Sequence, residues 1–196
     1  MRRLIGSALI AVLGVMILGC GSSAETEAAA EAVPAETSDA ITIDNAFYYT
    51  HINGHAKETE TLAFVLFEYE QLSSVKYQVA YIACTCRGPE VNYYSVAYVE
   101  LDKNDGSVKF LSYDEDSTGH YTAGMYGDST FTYEGVPAKE LYEQFRKERL
   151  IGASQDEINA IEAMHGDVDA YTGATVTPNN AVSMLQGLFE YHNARY

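Results

Sequence analysis

The densest chemistry in the chain lies in Asp169-Ala170-Tyr171-Thr172-Gly173-Ala174-Thr175-Val176-Thr177. Three hydroxyls, on Thr172, Thr175 and Thr177, fall within this short run. Gly173 and Ala174 sit between them and let the backbone come close to a ligand. An apolar, helically periodic segment follows, so the run leads into a helix N-terminus. Such an end presents free N–H donors and partial positive charge, which favour a phosphate. One reading is therefore a phosphate or other anion site. The other is an ordinary helix start, with Thr177 as cap and Pro178 in the first turn.

Other reactive side chains are sparse. Cys84-Thr85-Cys86 is the only close thiol pair. On a strand its two cysteines share a face, and three readings stay open: a local disulfide, two free buried thiols, or a redox partner of a cofactor. Two cysteines do not make a structural zinc site. His51 and His55 have the i, i+4 spacing of a helical metal pair, but Asn53-Gly54 between them favours a turn. His120, His165 and His192 stand apart from one another, so no metal site is expected. No nucleophile elbow and no Walker-type loop appears.

The chain has 196 residues and a net charge of −16, from 28 acidic and 12 basic side chains. That balance excludes nucleic-acid binding, which needs a surplus of Lys and Arg to neutralise phosphates. It also opposes electrostatic docking on anionic lipid. Hydrophobic residues at 47% suit a globular domain. Sixteen Tyr and no Trp set the aromatic character.

The first nineteen residues read as an address. Arg2 and Arg3 precede an uncharged apolar stretch over 4–19, shorter than a membrane-spanning helix requires. Ile17-Leu18-Gly19-Cys20-Gly21 resembles the bacterial lipoprotein signal. That resemblance implies lipidation of the Cys20 thiol, cleavage before it, and a mature chain anchored outside the cytoplasm on the bacterial cell membrane. Cleavage removes two basic residues and no acid, leaving the mature chain more acidic still. Residues 21–40 are mostly Ala, Glu, Ser and Thr and contain Pro34. They cannot bury enough surface to offset ordering, so they read as a flexible tether.

A folded domain is expected over 41–196. Its first half reads as strands: 62–70, 76–84 with Tyr77, Val79, Tyr81 and Ala83 on one face, 91–101, and 107–113. The segment Asp102 to Gly106 is a turn joining the last two strands as an antiparallel hairpin. Residues 114–135 mix Gly with Tyr121, Met125, Tyr126 and Tyr133 and read as an aromatic loop. Then come three helices: 137–149; a second opened by the Ser154/Glu157 capping box and ended by Gly166; and a third from Pro178 to His192 with an apolar face of Ala181, Val182, Leu185, Leu188 and Phe189. The class is α+β: an antiparallel-rich sheet with three C-terminal helices.

Asp169 to Thr175, D-A-Y-T-G-A-T, resembles the flavinylation motif D-x-x-(S/T)-G-A-T of the FMN-binding domain family. Members include FMN-carrying subunits of sodium-pumping quinone reductase and of Rnf complexes, and flavin lipoproteins of extracellular electron transfer. The likeness covers roughly residues 85–192 and is specific only in this run. Gly88-Pro89 and the hairpin around Asp102 and Gly106 resemble the family's opening hairpin. Asp116-Ser117-Thr118-Gly119 loosely resembles an acidic-Thr-Pro-Gly loop, without its Pro. The helix after the motif starts with Pro178-Asn179-Asn180 where the family has Ala-Val sooner.

The resemblance implies an FMN-binding domain-like fold and covalent FMN, joined by a phosphodiester to Thr175. Asp169, Thr172, Gly173, Ala174, Thr177 and Thr118 would be the other cofactor-binding residues. It implies maturation by an FAD-dependent flavin transferase, and electron relay between redox donor and acceptor proteins or a quinone-linked chain. That is electron transfer, not stand-alone enzymology. The competing expectation is a cell-surface binding module whose tyrosines take a sugar or a cell-wall partner; a flavin reductase with its own acceptor is a third.

Overall fold

A computed structural model describes residues 44–55, 57–84, 94–115, 132–161, 166, 168, 172 and 176–196. The chain divides into two units, Met1–Ala40 and Ile41–Tyr196, and every described residue belongs to the second. The signal segment, Cys20, the tether, Gly88-Pro89, Cys86, His120, His165 and most of the aromatic loop, including Thr118, Tyr121, Met125 and Tyr126, lie outside the described residues. No described helix is long and apolar enough to cross a membrane.

Five strands form one antiparallel meander in chain order: β1 (Ala46–Ile52), β2 (Glu58–Glu70), β3 (Ser74–Ile82), β4 (Tyr94–Asp102) and β5 (Val108–Tyr113). A second, two-stranded ladder joins β6 (Thr132–Tyr133) to β7 (Val136–Pro137). Among the described residues, three helices have defined bounds: α1 (Ala138–Phe145), α2 (Gln155–Asn159) and α3 (Val176–Asn193); Val168 and Thr172 are helical as well. The α+β class and the β4–β5 hairpin match the sequence reading. At the hairpin's turn Gly106 has φ +64, a left-handed conformation that glycine adopts without strain.

Alternation decides which face of the sheet is buried. Tyr77, Val79, Tyr81 and Ala83 are all buried, as their spacing predicts, and Ala97, Val99 and Leu101 of β4 lie on the same side. They share one core with Tyr142 and Phe145 of α1 and with Met184, Leu185, Leu188 and Phe189 of α3. Four of its buried tyrosines, Tyr49, Tyr81, Tyr113 and Tyr142, form a continuous run. Tyr49 and Tyr81 meet edge to face with centroids 6.1 Å apart, and Tyr113 hydrogen-bonds both Tyr81 and Tyr142.

Helix α3 packs on the inner face along β1. Gly187 makes the fit possible: a Cβ there would stand 2.4 Å from the Tyr48 carbonyl and 2.9 Å from the Phe47 ring. Phe47 in turn packs on Tyr191, centroids 5.7 Å apart.

Three boundaries differ from the sequence reading. Helix α1 follows Pro137 and, after Phe145, widens into a π-helical turn, Arg146–Leu150, closed by Ile151 N–H to Arg146 O at 2.9 Å. Arg146 spends its guanidinium on the Leu111 carbonyl and Glu143. Helix α2 carries the expected Ser154/Glu157 capping box but ends at Asn159, not near Gly166, because the Ile161 N–H turns back to Ile158 O. Helix α3 begins at Val176, so Thr177 lies inside its first turn and does not cap it.

Candidate functional site

The first turn of α3 docks at one end of the sheet, where β1 and β3 finish. Asn180 makes the joint. Its Oδ1 accepts the Ile52 N–H at 2.7 Å, and its Nδ2 donates to Ile52 O at 2.8 Å and Ala83 O at 2.9 Å. All three bonds are buried, so one side chain satisfies the backbone of two strand ends from the helix.

The same strand ends hold a polar cluster. Tyr49 OH donates to Ile82 O at 2.9 Å and accepts the Ile82 N–H at 3.0 Å. His51 Nδ1 sits 3.1 Å from Ile82 O. A carbonyl only accepts, so Nδ1 carries the proton and Nε2 is left as a bare acceptor. That Nε2 is buried and has no hydrogen-bond partner. Cys84, just past β3, is disulfide-bonded, which removes the free-thiol reading for it. His51 is on a strand and His55 in the following turn, where Asn53 Oδ1 accepts from the N–H groups of His55 and Lys57. The turn reading of Asn53-Gly54 therefore holds against the helical pair. Among the described residues no cluster of His, Cys, Asp and Glu suits a metal ion.

Of the residues singled out in the sequence, Thr172 and Thr177 are described; Asp169, Gly173, Ala174 and Thr175 lie outside the described residues. Thr172 is fully buried and its hydroxyl donates to Val168 O at 2.7 Å. That bond is helical back-bonding four residues up the chain, so Thr172 acts as a structural anchor of the run. Thr177 is buried as well. The three hydroxyls thus do not all face one open spot.

What remains for an anion is the end of α3 itself. Its first four residues supply three backbone N–H groups, because Pro178 has none. A helix of eighteen residues, braced by Asn180 against the sheet, presents a fixed dipole end.

Two buried imidazoles, His51 at this end and His192 in the last turn of α3, give the domain a pH response. Burial lowers the His51 pKa below the usual 6.5, partly offset by its bond to Ile82 O. Burial also lowers that of His192, with Glu68 opposing and Lys103 reinforcing the shift; His192 Nδ1 meets Tyr77 OH at 2.8 Å. A depressed histidine binds fewer protons folded than unfolded. Its stabilisation is complete above the unfolded value of 6.5 and is lost as pH falls below it. His51→Gln should therefore flatten the decline of the urea midpoint between about pH 7 and about pH 5; a wild-type slope unchanged in the variant refutes the assignment.

No protein-family profile, no curated protein and no solved structure matches the chain. The functional reading therefore rests on the residues and their chemistry.

Proposed function

We propose that the chain is an extracytoplasmic, lipid-anchored flavoprotein that carries FMN on Thr175 and relays electrons. The observation that carries this reading is the D-A-Y-T-G-A-T run placed directly before a long, firmly seated helix. Cys20 would take the lipid and residues 21–40 would give the domain reach from the membrane. In maturation, a flavin transferase breaks the pyrophosphate of FAD. The Thr175 Oγ–P bond forms, and AMP leaves with the proton the hydroxyl gives up.

Bound FMN supplies one- and two-electron transfer at its ring system. The chain's own residues do the holding. The N–H groups opening α3 offset the phosphodiester charge, Thr172 fixes the run through Val168 O, and Asn180 fixes the helix. Covalent attachment suits a protein outside the cytoplasm, where a dissociable flavin would be lost by dilution.

The test is the intact mass of the mature chain made in a host with a flavin transferase. An added FMN less one water is the expected result; an unmodified chain overturns the reading. A second reading, the sugar or cell-wall binding module, is favoured by one specific observation: the outer face of the sheet exposes large aromatic rings.

A further inference from the structure

Strand β3 outruns its neighbour on one side. Its last rung with β2 is Ala80 opposite Phe64, while its pairing with β4 continues to Ile82 opposite Tyr94. The peptide groups of Ile82 are met instead by side chains from β1. Tyr49 OH accepts the Ile82 N–H and donates to Ile82 O, and the His51 Nδ1–H donates to the same oxygen at 3.1 Å. Asn180 holds the next carbonyl, that of Ala83, and both backbone groups of Ile52. Three side chains therefore stand in for a missing stretch of ladder and tie β1, β3 and the start of α3 into one joint.

We infer that His51 is an acid-released latch on this joint: neutral, it holds the end of β3; protonated, it lets go and frees the start of α3 while the sheet stays folded. The latch belongs to the domain itself and stands whether or not flavin is attached. Of the three side chains only the imidazole changes charge near neutral pH. Asparagine does not ionise, and burial keeps the Tyr49 phenol protonated far into alkali. The imidazole is 6% exposed, and its Nε2 is buried with no hydrogen-bond partner. In the neutral ring that nitrogen is a bare acceptor. A proton there creates a buried donor and a full positive charge at once, and an unpaired buried charge is far costlier than an unpaired lone pair.

The groups around the ring offer that charge no compensation. On β1 the titratable neighbour is Tyr49, its ring edge-on to the imidazole with centroids 6.3 Å apart. On β2 the register places Thr59 opposite, with Glu58 and Glu60 on the adjoining rungs, and all three face water. The β1–β2 turn carries His55 and Lys57, exposed as well. Past the end of β3 stands Cys84, already disulfide-bonded, and β4 contributes Tyr94 opposite Ile82. Helix α3 has no acidic or basic side chain before Glu190. Among the described residues no carboxylate is buried. An imidazolium therefore finds water only by swinging out, and Ile82 O then keeps the Tyr49 bond alone. Burial already holds the His51 pKa below 6.5, so closure is complete above that value and weakens as pH falls beneath it. The opening stops at the joint, because β3 is laddered on both sides from Val75 to Ala80.

The test follows the full chain by NMR from about pH 7.5 to about pH 5. Imidazole nitrogen shifts report the His51 tautomer and its titration. Amide exchange, corrected for its intrinsic pH dependence, reports opening. Protection of the Ile52 and Ile82 amides should fall about tenfold per pH unit below about pH 6.5, one proton being taken up on opening. The Val79 and Val99 amides of the laddered sheet should keep theirs. His51→Asn places an amide donor where Nδ1 stands and cannot gain charge, so its protection at Ile52 and Ile82 should not follow pH. Should that variant not fold, the wild-type chain decides alone: protection at Ile52 and Ile82 must fall together with the imidazole titration. Protection lost equally in His51→Asn overturns the latch, and so does protection that stays flat in the wild type. Loss at Val79 and Val99 in step with Ile52 and Ile82 means global unfolding and overturns it as well. A neutral-pH proton found on Nε2 in place of Nδ1 does the same.

Discussion

Thr175→Val should remove covalent flavin completely and leave the fold and melting temperature of the domain intact. Valine matches threonine in shape but has no oxygen to esterify, so the effect is all or none. On a denaturing gel viewed under ultraviolet light, the wild-type band should fluoresce after coexpression with a flavin transferase and the variant band should be dark. Thr175→Ser keeps a hydroxyl and should restore at least part of the signal. Thr172→Val serves as the discriminating control. Its hydroxyl already donates to Val168 O in a fully buried position, so losing it costs stability and not the attachment point. A dark Thr172 band beside a bright Thr175→Val band reverses the assignment.

Asn180→Ala is the substitution with the largest expected effect on stability. It strips partners from the Ile52 N–H, Ile52 O and Ala83 O at once. Buried backbone groups left unsatisfied cost about 1–3 kcal/mol each, so a loss of roughly 3–5 kcal/mol is expected after some relaxation. Urea denaturation measures it. Asn180→Asp should do no better, because a carboxylate keeps the acceptor but faces two carbonyls with no donor. A loss below about 1 kcal/mol would show that water takes over the three bonds and that the joint is dispensable.

These two residues differ in how visible they are before folding. The motif around Thr175 is contiguous and can be read directly. Asn180 looked like one of two polar residues extending a helix start; its role depends on Ile52, 128 positions away. The strands of the middle of the sheet are legible because Tyr77, Val79 and Tyr81 alternate with Lys76 and Gln78. Strand β1 is hard to read from sequence, since Phe47 and Tyr48 place aromatics on both faces in succession. The exposed rings Phe67, Tyr69 and Phe110 are hidden for the same reason. Tyrosine and phenylalanine fit either side of a sheet, and only the register tells which rings are covered. In α3 the apolar stripe was read correctly, but Asn179, Asn180, Ser183 and His192 are buried with it. Polar residues inside a core helix look like a solvent face until their partners are known.

The chain of phenols through the core has an optical consequence. Burial raises the pKa of Tyr49, Tyr77, Tyr81 and Tyr142 well above 10, and pushes that of Tyr113 up to about 12. A phenol held protonated only by folding opposes folding as alkali rises past the unfolded value of 10. Phenolate absorbance from these five rings should therefore appear late and abruptly, when the interior opens. With no indole to obscure it, that step makes this domain its own base-sensitive dye.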